Sequence, residues 1–156
     1  MLAQTPVQIA WVTRDLDATE QSLTTLLGAK KWVRMPDVHF APDACTYRGE
    51  PADFVASISL SYAGDTQLEL IAPVTGRNIY TDFLDTAGPG MHHICIEVDD
   101  VEAALAEREA VAVQRGVMPG GMEFAYVAAT GLPYLEIAYL PDEIRAFFAH
   151  IKQEQQ

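Results

Sequence analysis

Two stretches of the chain decide its fold: residues 8–18, QIAWVTRDLDA, and residues 93–103, HICIEVDDVEA. Laid over one another without gaps, each reads as an apolar strand, then an acidic residue, then the start of an amphipathic helix. Asp15 and Asp100 fall at the same place. Both suit a helix N-cap, where a short side-chain oxygen accepts the free backbone N–H groups. The first helix is expected over residues 16–27, stopped by Gly28, and the second over residues 101–108 or slightly beyond. In the first, Leu23, Leu26 and Leu27 form an apolar stripe that reads as helix core.

The two halves also end alike. QLELIAP, residues 67–73, and YLEIAYLP, residues 134–141, each set a glutamate in the middle of an apolar strand. Strand-like runs at 32–35, 55–62, 111–115 and 123–128 lie between these landmarks, with turn signals at Gly64-Asp65 and Gly120-Gly121. Similarity at both ends of each half points to internal duplication. The expected class is α+β, with two βαβββ modules forming a curved mixed sheet around a central cavity. Module one spans about residues 6–73, a linker helix about 78–89 and module two about 90–141. A C-terminal helix follows at about 142–152, with Phe147, Phe148 and Ile151 as its apolar stripe.

Composition narrows the function. With 156 residues, 49% of them hydrophobic, the chain can bury about two thirds of its unfolded surface and needs no disulfide staple. Ten basic against 22 acidic residues give a net charge of −12. A field of that sign repels phosphate backbones and anionic lipid, so neither nucleic acid nor a membrane is an expected partner. Cys45 and Cys95 have no metal or redox spacing and fit a reduced, cytoplasmic setting, with a single disulfide left open. The N-terminus does not read as a signal peptide, and no apolar run approaches the ~20 residues of a membrane helix.

Four polar residues sit inside apolar strands: Gln8, Glu69, His93 and Glu136. In the repeat, Gln8 aligns with His93 and Glu69 with Glu136, so duplication would bring one pair from each half to a common place. Alternation puts Gln8, Ala10 and Val12 on one strand face, and His93 with Cys95 on one face of the other. A buried, unpaired carboxylate costs several kcal/mol, so two of them facing a sheet interior call for a cation. Two carboxylates, an imidazole and an amide oxygen make a reasonable site for one divalent ion, with positions left for substrate. Taken singly, each residue has a plainer reading: an amide tied to backbone, a satisfied core histidine, a glutamate facing solvent. His92 should point away from His93, behind the site or to the surface. His39 and His150 read as solvated, and Asp99, Asp100 and Glu102 as a helix start.

The βαβββ duplication with these residues resembles the vicinal oxygen chelate superfamily, which includes glyoxalase I, methylmalonyl-CoA epimerase, extradiol dioxygenases and bleomycin-resistance proteins. Residues 66–100, TQLELIAPVTGRNIYTDFLDTAGPGMHHICIEVDD, look most like the epimerase branch, with a metal-ligand strand, a short helix and a G-x-HH strand. The resemblance covers nearly the whole chain and is weakest at residues 38–53. It implies metal ligands at Gln8, Glu69, His93 and Glu136. Epimerases usually carry His in the place of Gln8 and often Gln in that of Glu69. The set found here is similar to that of eukaryotic glyoxalase I.

The resemblance implies a metal-dependent lyase or isomerase that abstracts a proton alpha to a carbonyl of a small acyl or 2-oxo compound, with the enolate charge offset by the metal. Glu136 is the leading catalytic base, and Glu69, its symmetry mate, the candidate for a second proton transfer. The metal could be Zn, Ni, Co, Mn or Mg. The alternative is a non-catalytic small-molecule or drug binder. A ring-cleaving dioxygenase is disfavoured because the first histidine of its two-histidine, one-carboxylate site is missing. Superfamily members often pair their modules, within or between chains, and a homodimer is expected. Lys30, Lys31 and Arg34 form the one basic cluster, either a coenzyme A phosphate grip or a solvated edge. Tyr47, Tyr62, Tyr126 and Tyr134 could line a cavity or simply pack.

Overall fold

A computed structural model describes residues Met1–Gln156. Along the chain run β1 (Gln8–Val12), α1 (Leu16–Leu27), β2 (Val33–Phe40), β3 (Cys45–Tyr47), β4 (Glu50–Pro51), β5 (Phe54–Ala63) and β6 (Thr66–Thr75). The helix α2 (Ile79–Ala87) leads into β7 (Gly90–Glu97), α3 (Val101–Glu107), β8 (Gln114–Val117), β9 (Glu123–Ala128), β10 (Tyr134–Tyr139) and α4 (Asp142–Gln153). All ten strands belong to one sheet, ordered β2-β5-β6-β1-β7-β10-β9-β8-β3-β4. It curls into a half barrel.

The two βαβββ modules meet where β1 runs antiparallel to β7. On either side of that seam the arrangement repeats: β6 lies parallel to β1, and β10 parallel to β7. Local chemistry sets the junctions. The Asp15 side chain accepts from Ala18 N at 3.0 Å and the Asp100 side chain from Ala103 N at 3.0 Å, so both repeat aspartates cap their helices. Gly28 ends α1 in the left-handed conformation, φ +79°. Asn78 and Thr81 form a reciprocal capping box at the start of α2.

One apolar cluster, with Val12, Phe54, Ile71, Tyr80 and Tyr126, fills the inside of the curl. A second, with Ile96, Leu105, Val127 and Ile137, lies between α3 and the second module. The helix α4 packs against β5. Its C-terminal end is fixed by the fully buried Ile151 and by Gln155, whose amide oxygen accepts from the backbone N–H groups of Lys30 (2.9 Å) and Lys31 (3.1 Å). No helix is long and apolar enough to cross a membrane.

Several expectations need correction. Leu26 and Leu27 are not core: they are 73% and 48% exposed, although they continue the face that buries Leu23, because they fall in the last turn of α1, which is not covered by the sheet. The strand expected at 111–115 starts later, at Gln114, since the chain needs a turn after α3, with Glu109 at φ +50°, to reach the sheet edge. The run expected at 32–35 continues to Phe40. The first module also carries two unexpected short strands. β3 leaves its own half and pairs with β8 at the far edge of the second. Gly116 of β8 permits this approach, because a Cβ there would lie 2.5 Å from Cys45 Sγ. Cys45 and Cys95 are both buried and free, so the disulfide left open by the sequence does not form.

Candidate metal centre

The seam between the modules brings the four polar strand residues together within one chain. Gln8 on β1 and His93 on β7 share the concave face, one step apart in register, since Ala10 is the partner of His93 and Cys95 that of Gln8. Glu69 lies beside Ala10, and Glu136 beside Cys95. His93 Nε2 is 3.1 Å from Gln8 Oε1 and 3.5 Å from a carboxylate oxygen of both Glu69 and Glu136. One ligand atom from each of Glu69, His93 and Glu136 lies within 4.8 Å of the others. His93 is fully buried, Gln8 and Glu136 nearly so, and the Glu69 side chain is 14% exposed.

Two further residues orient the neutral members of this set. Gln8 Nε2 donates to Gln67 Oε1 at 2.6 Å, which turns the Gln8 carbonyl oxygen toward His93. Gln67 in turn donates to Tyr62 OH at 3.3 Å. His93 Nδ1 lies 2.8 Å from His92 Nδ1. His92 was expected to face away from the site, but it is completely buried beside His93. The cause is a bulge in β7: the register passes from Ala10–His93 to Trp11–Met91, leaving His92 without a partner and breaking the alternation.

Electrostatics follow from burial. The His92 imidazole is pushed down to about 2 by desolvation and by the adjacent charge of His93, so it is neutral. It therefore accepts at Nδ1 and carries its proton on Nε2, which has no hydrogen-bond partner and sits among the rings of Tyr80, Phe83, Tyr126 and Tyr134. Burial alone would lower His93, but pairing with Glu136 and Glu69 raises it to about 9. Desolvation raises Glu69, aided by the charge of Glu136 and opposed by His93. Burial, then the negative charge of Glu136, holds the Cys95 thiol well above its ordinary range, which makes it a poor thiolate ligand or nucleophile. Behind the cluster, Tyr80 OH and Tyr126 OH share a 2.6 Å hydrogen bond.

Two openings reach the cluster. One, of about 290 Å³, is lined by Tyr62, Gln67, Glu97 and Arg145 and touches Gln8 and Glu136. The other, also about 290 Å³, lies inside the curl under α4 and touches Gln8, Glu69 and Glu136. Phe148 and Met122 border both.

The remaining candidates lie elsewhere. Arg34 is held by Asp17 and, at 2.8 Å, by Glu20, while Lys31 pairs with Glu154 at 2.9 Å. The basic cluster is thus largely neutralised by its own neighbours, as a solvated edge would be. His39 is exposed and pairs with Asp53, and His150 is exposed near Glu154. Of the four tyrosines singled out in the sequence, Tyr47 donates its OH to Asp82, Tyr134 packs on His92, and Tyr62 and Tyr126 line the openings. Sequence reasoning missed Gln67 as a site residue, although its place two residues before Glu69 on the same strand face was a usable signal. Nothing in the one-dimensional pattern marked the bulge at His92.

The family model for the glyoxalase/bleomycin resistance protein/dioxygenase superfamily matches residues 7–126. The chain belongs to that superfamily. It is similar to mitochondrial methylmalonyl-CoA epimerase of Mus musculus, 46% identical over 46 residues, a match spanning 28% of this chain and 25% of the mouse protein. Its fold is that of methylmalonyl-CoA epimerase from Mycobacterium tuberculosis, with a TM-score of 0.63 at 19% identity over 94% of this chain and 97% of the other. A methylmalonyl-CoA epimerase in complex with methylmalonyl-CoA and NH4+ matches with a TM-score of 0.55 at 14% identity, over 90% of this chain and 97% of the other.

Proposed function

We propose that this chain is a metal-dependent isomerase or lyase that removes a proton alpha to the carbonyl of a small acyl or 2-oxo compound. The observation that carries this reading is the convergence of Gln8, Glu69, His93 and Glu136, with Gln67 and His92 presetting the two neutral donors. Donor atoms around one ion at ~2.1 Å sit about 3–4 Å apart, and the contacts of 3.1 and 3.5 Å around His93 Nε2 have that spacing. The tautomer fits as well: a neutral His93 donating from Nδ1 to His92 leaves its Nε2 lone pair toward the cluster.

When bound, a divalent cation supplies Lewis-acid stabilisation of the negative charge that develops on the carbonyl oxygen. The two carboxylates offset the charge of the ion, and Gln8 and His93 add neutral positions. Glu136 is the base. It borders both openings, so a proton it accepts can pass toward the one that holds Tyr62, Gln67, Glu97 and Arg145, which Glu69 does not border. Glu69, raised by its burial, serves the second proton transfer. The apolar character of the cavity under α4 also favours a second reading, in which the chain sequesters a bulky ligand without chemistry.

The test is deuterium uptake from D2O at the alpha carbon of candidate acyl thioesters and 2-oxo compounds, with metal content measured on protein purified without added metal and on Gln8→Ala. Metal-dependent exchange that Glu136→Gln abolishes supports the enzyme. Tight binding by metal-stripped protein with no exchange supports sequestration.

A further inference from the structure

The cavity under α4 limits what the site can take. Its walls come from three directions: Met35 and Val38 on β2, Met118 and Met122 in the turn between β8 and β9, and Phe147 and Phe148 on α4. Apart from the hydroxyls of Tyr80 and Tyr126, the only polar side chains that line it are Gln8, Glu69 and Glu136 at its floor. No lysine, arginine or histidine lines it. An anionic group placed against those walls, away from the cluster, would lose its hydration and meet no counter-ion. A hydrocarbon group would instead remove apolar wall from water. The volume of about 290 Å³ corresponds to about ten water molecules of liquid, and so to a comparable number of methylenes. Three of the five methionines in the chain line this cavity, and their unbranched thioethers allow the wall to adjust to differently shaped occupants.

We infer that the substrate is a carbonyl compound bearing one uncharged hydrocarbon arm, alkyl or aryl and of about six to ten carbons, which lies in the cavity under α4 while its oxygens face the cluster. This rests on the metal-site reading for the reacting end. It sets the site apart from one built for an acyl group that carries its own second carboxylate.

Alkyl hydroxamates test it, since they join one metal-chelating head to arms of chosen length. Protein loaded with Zn2+, its metal content measured in parallel, is titrated calorimetrically with acetohydroxamate, hexanohydroxamate, octanohydroxamate and an octanohydroxamate with a terminal carboxylate. Affinity is expected to rise by about fourfold per methylene, and the terminal carboxylate to cost tenfold or more. Val38→Trp and Met35→Trp, each checked for folding by circular dichroism, should shorten the arm that still gains affinity. Equal affinity across the series, or tighter binding of the carboxylated arm, overturns the inference. If metal analysis shows no uptake, the metal reading fails, and the cavity is judged by saturation-transfer NMR of metal-free protein with 1-octanol. Transfer from the protein that Val38→Trp removes then supports the apolar subsite, and no transfer overturns it.

Discussion

Raising the pH from 6.5 to 9 should weaken the metal-free protein, and the size of the effect follows from His93. Its imidazole is buried between Glu69 and Glu136, which hold it protonated up to about 9, against 6.5 in an unfolded chain. A group whose pKa is raised by folding contributes its full stability below the unfolded value and loses it as pH climbs through the folded one. The difference corresponds to about 3 kcal/mol, with no discount for solvent because His93 is fully buried. Glu69, also raised, acts with the same sign from the carboxylate range upward. For a chain of this length, about 3 kcal/mol means a Tm about 6–12 °C lower at pH 9 than at pH 6.5. The assay is calorimetric unfolding of EDTA-treated protein across that range. His93→Gln is the control: it should flatten the slope, whereas ionisation of Cys45 and Cys95 on unfolding near pH 9 would persist in it. A metal-free Tm that stays level or rises between pH 6.5 and 9 would refute the charge assignment at the cluster.

Metal binding should release a proton from His93 below about pH 9, seen as calorimetric enthalpies that vary with the ionisation heat of the buffer; buffer-independent enthalpies would contradict it. His92→Phe should fold, because its neighbours are four aromatic rings, yet bind metal about 10–100-fold more weakly; unchanged affinity in a metal titration would leave His92 as packing. Gln67→Leu should free the Gln8 amide and cost about 1–2 kcal/mol in urea unfolding, together with a loss of metal affinity that Gln67→Glu partly restores. Gly116→Ala should cost about 1–3 kcal/mol, read as a lower urea midpoint, since the new methyl meets Cys45 Sγ and Phe124 where β3 joins β8. A stability equal to that of the unsubstituted protein would mean this junction is loose.

The pairing of residues 8–18 with 93–103 and the two glutamate-centred strands carried the modular α+β fold, because strand alternation, helix caps and repeats are local or periodic properties. The same reasoning named Gln8, Glu69, His93 and Glu136 as a set, since a polar residue inside an apolar strand is visible without coordinates. It failed where contacts are made between distant segments. Leu26 and Leu27 look like core in one dimension, but whether a helix turn overlies the sheet depends on where the strands end. The crossing of β3 to β8 depends on the curl of all ten strands, and a three-residue strand carries almost no pattern of its own.

The amino-acid sequence therefore determined which residues could carry chemistry and which strands hold them. The tertiary structure alone decided that one chain completes the cluster, that a bulge turns His92 inward, that Gln67 fixes the Gln8 amide, and that α4 roofs an apolar cavity beside the carboxylates. The physical reason is that alternation and capping act over a few residues. Burial, pKa and cavity shape depend on the low-dielectric surroundings that folding builds from parts of the chain far apart in sequence.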